Sequence, residues 1–166
     1  MKNILLVAVL FICGTVFSQK KYKDLKSDYN AQVECLGTGV DGVQVLKVYS
    51  FKKKRKVKQE DYAKIKRGAI FTVIFNGIPG TPSTGCESQP PLLSEDAYEQ
   101  HSSYFDDFFR GGKFAQFISL SSQSSMDMVK MGKGYEMSMD VTVRRQALSK
   151  KLEKDGIRKG MSSAFD

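Results

Sequence analysis

Apolar and polar positions alternate most strictly over residues 135–144. There Tyr135, Met137, Met139, Val141 and Val143 interleave with Glu136, Ser138, Asp140, Thr142 and Arg144. A period of two held this long predicts a strand with one buried and one wet face. Such a strand implies an antiparallel sheet with a covering layer on its apolar side. Two β-prone runs upstream, 31–36 (AQVECL) and 43–51 (VQVLKVYSF), flank a glycine-rich GTGVDG and predict a hairpin. Residues 126–131, a bend at Gly132-Lys133-Gly134 and the strand at 135–144 predict a second hairpin.

Helical spacing takes over at Gln59, where Tyr62, Ile65, Ala69 and Val73 share one face. The run 69–75 (AIFTVIF) is apolar on nearly every side and suits a buried helix or a core strand. Length favours a helix over 59–76, with Gly77 as its C-cap and Pro79 as its stop. Residues 80–91 (GTPSTGCESQPP) read as a loop long enough to be functional. Ser94 is placed to N-cap a helix whose first turn carries Glu95 and Asp96. Tyr98, His101, Phe105 and Phe108 share its face, and Gly111-Gly112 ends it. A short apolar run at 114–120 predicts a strand, 121–125 a turn, and 145–154 a short basic helix. The expectation is an α+β fold: a three- to four-stranded antiparallel sheet with helices packed on one face, a two-layer sandwich.

Residues 1–18 stand outside this fold. Lys2 and the apolar run 4–13 form the n- and h-regions of a secretory signal, with Val16 and Ser18 at the −3 and −1 positions before Gln19. The run is too short to span a bilayer. Bulky Ile12 precedes Cys13, where an acylated cysteine would want a small residue. The implied organisation is a signal at 1–18, an exposed lysine-rich arm at 19–30, a single domain at 31–156 and a tail at 157–166. Export through the Sec route would place the chain in the periplasm, at the outer membrane or outside the cell.

Charge and cysteine usage follow from that reading. The formal charge is +8, or +7 once Lys2 leaves with the signal. An excess of that sign suits anionic surfaces. It concentrates at 52–58, KKKRKVK, so Lys52, Lys53, Lys54, Arg55, Lys56 and Lys58 are the candidate contacts to an anionic partner. In a cytosolic chain the run would read as a nuclear import signal; export removes that reading. Cys35 and Cys86, the cysteines left after signal removal, form an even pair that an oxidising compartment can join in a disulfide. The alternative is two separate thiols.

The order "strand ending in ECLG, Gly-rich turn, VQVLKVYSF, charged helix running into AIFTVIFNGIPG" resembles small secreted proteins of Bacteroidota envelopes. It is more distantly similar to the LPP20-like and FlgT-like outer-membrane-associated modules. Where those carry a GYG or GxG strand end, Tyr49-Ser50-Phe51 and the lysine run stand here. The resemblance implies an α+β envelope domain and brings no active-site residue with it.

Catalytic chemistry finds no constellation. GTGVDG lacks the spacing of a phosphate cradle. His101 is the one histidine, with no GxSxG elbow to supply a nucleophile. One histidine and two distant cysteines give no zinc spacing, and Asp106 and Asp107, adjacent on a helix, point apart. Phe105, Phe108, Phe109, Phe114 and Phe117 lack the interleaved cations of a base-stacking platform and read as core. Met126, Met128, Met131, Met137 and Met139 are the soft donors that Cu(I) prefers, or equally gap-fillers in a core. The expected function is therefore a non-enzymatic envelope or secreted module. It would bind another envelope protein, an anionic polymer or a headgroup, with no nucleic acid, cofactor or catalytic residue. A Cu(I) carrier and an enzyme are the alternatives.

Overall fold

The computed structural model describes residues 28–29, 31–121 and 126–159. The expected signal, most of the arm and the end of the tail lie outside the described residues. Five antiparallel strands form one sheet: β1 (Gln32–Thr38), β2 (Val43–Lys52), β3 (Ile118–Leu120), β4 (Asp127–Met131) and β5 (Gly134–Arg144). β1, β2 and β5 lie side by side, and the fourth lane is shared. β3 pairs with residues 141–143 of β5, and β4 with residues 134–138. The sheet is thus four strands wide but five in number among the described residues, against the three to four expected, because β3 and β4 share one lane.

Register explains the buried face. Val33 stands opposite Val48, and Val48 opposite Met139; Cys35 stands opposite Leu46, and Leu46 opposite Val141. All six are 0–6% exposed, which leaves their alternating neighbours on the other face. Among the described residues four α-helices cover the buried face: α1 (Gln59–Phe71), α2 (Glu95–Gln100), α3 (Ser102–Arg110) and α4 (Arg145–Lys154). The apolar run at 69–75 is helical, since α1 passes into one π-helical turn, Thr72–Asn76. Gly77, at φ 79°, closes that turn by donating its N–H to Thr72 O at 2.8 Å.

Two elements differ from expectation. The helix expected to run unbroken to Arg110 kinks at His101 (φ −125°, ψ 35°), which ends α2 and begins α3. Ser102 and Ser103 follow at once, and serine competes with helical hydrogen bonding. Ser94 holds the N-cap position of α2 without a side-chain cap bond. The run at 114–120 is a strand only from Ile118. Before it, Lys113–Phe117 form a 3-10 turn entered through left-handed Gly112. In a 3-10 turn Phe114 and Phe117 eclipse one another, so both rings reach the core.

The core is strongly aromatic. Phe105, Phe108, Phe109, Phe114 and Phe117 are all 0–6% exposed, in keeping with a packing role. Tyr98 and Phe105 stack at 5.6 Å between centroids, and Phe75 meets Phe105 edge-on at 5.1 Å. Leu148 and Leu152 of α4 complete the layer, and Ile157, just beyond α4, packs against it.

Candidate binding site

The lysine run divides between structure and surface. Lys52 ends β2, and its ammonium is bound by the Asp61 carboxylate and by Lys56 O at 2.8 Å. Lys58 holds the N-cap position of α1, where its backbone N–H donates to Asp61 Oδ2 at 2.7 Å. Asp61 therefore fastens both ends of the strap formed by residues 53–57. Burial alone would raise the Asp61 pKa; the hydrogen bonds from Lys52 and the Lys58 N–H overcome it and hold the carboxyl below its ordinary 3.8.

Between strap and helix lies a cleft of 770 Å³. Lys52, Lys53, Lys54, Lys56 and Lys58 line it from the strap, while Arg55 is exposed outside its lining. α1 adds Lys64 and Arg67, and Tyr29 closes one side. The acidic lining is Asp28, Glu60 and Asp61, the last already paired with Lys52. The cleft keeps a clear cationic excess.

Lys64, Arg67 and Tyr29 escaped the sequence reading, because only folding brings α1 against the strap. The available signal was helical spacing: Glu60, Lys64 and Arg67 fall on one polar face, opposite Ile65 and Ala69. The Arg67 guanidinium carbon lies 5.9 Å from both the Tyr29 and the Phe114 ring centroids. Its buried Nε has no hydrogen-bond partner. Arg67 is thus held by aromatic faces at the back of the cleft.

The other candidate residues sit elsewhere. Cys35 and Cys86 form a disulfide, with Cα atoms 6.0 Å apart, which ties β1 to the proline-rich loop. That loop is fixed further by Arg145 Nη2 donating to Pro90 O at 2.8 Å and Arg158 Nε donating to Leu92 O at 3.1 Å. A second groove of 400 Å³ runs between the loop and β1. His101, half-buried at the helix kink, lines neither cavity. Asp106 accepts from Tyr98 Oη at 3.3 Å, whereas Asp107 pairs with Lys113, so the two carboxylates do separate work.

Met137 and Met139 are 1% exposed on the inner face, and Met128 stands directly across from Met137. Met126 and Met128 pack against the same core, while Met131 is exposed. Among the described residues no three His, Cys, Asp or Glu side chains gather as a metal cage. No described helix is long and apolar enough to cross a membrane.

The fold and cleft define a small, basic α+β domain. No protein-family model, curated protein or solved structure matches the chain.

Proposed function

We propose that the protein is an exported, non-enzymatic module that captures an anionic macromolecule of the cell envelope or its surroundings through the basic cleft. The observation that carries this reading is convergence. Cations from the strap, and from Lys64 and Arg67 on α1, line one concave surface. A cleft lined by one sign of charge concentrates field and counter-ion better than a scattered surface excess does. The disulfide supports export, because such bonds persist in oxidising compartments. The pattern at 1–18 and the resemblance to envelope proteins point the same way.

The test is titration of the purified protein with dextran sulfate, a soluble polyanion, at two salt concentrations. Binding should weaken as salt rises. A Lys53→Glu/Lys54→Glu variant should lose at least about tenfold in affinity, since both positions are exposed and tolerate substitution. Unchanged affinity in that variant would sink the cleft as the site. Intact mass of protein recovered from its own host tests export: a chain beginning at Gln19 is expected, and one retaining Met1 would refute it.

A further inference from the structure

We propose that the end of the sheet beside the cleft docks on an anionic lipid bilayer, with Phe51, Val129 and Met131 entering the interfacial layer. This rests on the anionic-partner reading above and names the partner. The three side chains are 55%, 57% and 51% exposed, among the largest apolar exposures in the described residues. Register gathers them: Phe51, Glu136 and Val129 form one row across β2, β5 and β4, and Met131 stands opposite Gly134 in the next. The Phe51 ring lies over Gly134, where an added Cβ would collide with the ring's Cζ. Glycine at 134 therefore seats the ring on the sheet's uncovered face.

Lysines flank this apolar group on both sides. Lys53, Lys54 and Lys56 stand on the strap that continues β2, and Lys130 and Lys133 on the β4–β5 hairpin, all exposed. The opposing charges on this face are Glu136, half-buried in the row itself, half-buried Asp140, and exposed Asp127, whose carboxylate lies 3.9 Å from the Lys47 ammonium. A soluble polyanion asks only for cations. Exposed apolar side chains with lysines at their margins, here the strap and the β4–β5 turn, suit a charged interface, the chains entering the acyl boundary and the ammonium groups meeting headgroup phosphates. The contact so proposed is peripheral, made by side chains of the sheet rather than by a crossing segment.

Flotation with vesicles tests it. Phosphatidylcholine vesicles containing one-third phosphatidylglycerol are compared with phosphatidylcholine alone, and dextran sulfate is titrated in parallel. The wild type is expected to prefer the anionic vesicles at least about tenfold. Phe51→Ser/Val129→Ser/Met131→Ser should lose about tenfold on those vesicles and keep its dextran sulfate affinity. The chain has no tryptophan, so Phe51→Trp provides one reporter whose emission should shift to the blue on anionic vesicles. Wild-type partition by the triple variant, or no shift from the Phe51→Trp reporter on bound vesicles, overturns the proposal. Dextran sulfate binding without vesicle binding overturns it too, and leaves the cleft intact. Loss of both ligands by the wild type ends both readings. Self-association that the triple variant abolishes, with vesicles ignored, assigns the patch to a second copy and overturns docking.

Discussion

The two margins of the sheet are built on opposite principles. At the β1 margin the strand is sealed. The Thr72 hydroxyl donates to Ala31 O at 3.2 Å, Thr84 Oγ1 donates to Cys35 O at 2.9 Å, and the disulfide anchors the proline-rich loop alongside. At the β4 margin no strand meets the outer edge among the described residues, and Val129 and Met131 are more than half exposed. An edge strand is a template for pairing unless something blunts it. One margin is closed covalently and by hydroxyls. The other relies on a short strand and on Lys130, and stays available. The contrast gathers the stabilising links on one side of the molecule and leaves the other side open.

The first way to break the contrast is to unseal β1. Reduction, or Cys35→Ser with Cys86→Ser, releases a cross-link spanning 51 positions. Chain entropy puts that near ~4 kcal/mol, a large share of a small domain's stability. Urea unfolding with and without reductant should show it. A midpoint unmoved by reductant would mean that the loop holds β1 without the bond. Gly77→Ala comes next. Its φ of 79° and a Cβ only 2.6 Å from Gln89 O force the loop away from α1, at a cost of about 3 kcal/mol. Thr72→Val leaves Ala31 O unpaired in a buried site and should cost about 1 kcal/mol. Equal losses from these three changes would erase the predicted order and put the seal elsewhere.

Much of the sealed half was legible in the chain itself. The period of two at 135–144 is a property of a surface half in water, and the face it names is the face that Met137, Met139, Val141 and Val143 bury. Helix 59–76 followed from length and from Gly77, although its last turn is π-helical, which no side-chain period announces. The strand expected at 114–120 starts late, because Lys113–Phe117 close as a 3-10 turn and leave β3 only Ile118–Leu120. The disulfide could be offered but not decided, since the approach of two Cα atoms to 6.0 Å is a tertiary fact. The cleft was half legible. A run of lysines announces charge, but not that Lys64, Arg67 and Tyr29 will stand across from it.

Acid should sharpen the comparison by loosening the strap end first. The Asp61 carboxyl lies below its ordinary 3.8 despite burial, held there by Lys52 and the Lys58 N–H. A depressed carboxyl stabilises fully above the unfolded value, and the contribution is lost as pH falls through the lower folded value. Asp155 behaves alike: hydrogen bonds from Lys151 and the Tyr104 hydroxyl lower it against the effect of burial. Below pH 3.8, the ordinary value for both carboxyls, amide exchange should therefore rise in residues 53–58 before it rises in β1, where the disulfide does not titrate. Asp61→Asn should remove most of that pH dependence at the strap. Uniform exchange across both regions at low pH would show that Asp61 does not control the strap.

The smallest effect belongs to the open margin. Val129→Ser with Met131→Ser removes side chains already 57% and 51% in water, so stability should change by no more than about 0.5 kcal/mol. Compared with unsealing β1, that is nearly an order of magnitude less, on a strand of the same sheet. A loss above about 1 kcal/mol in urea unfolding would mean that the β4 edge is covered in solution, because truncating an exposed side chain has no core contacts to remove. A margin that tolerates the change in stability yet loses its hold on anionic vesicles would be a surface kept apolar for what it touches rather than for what it supports.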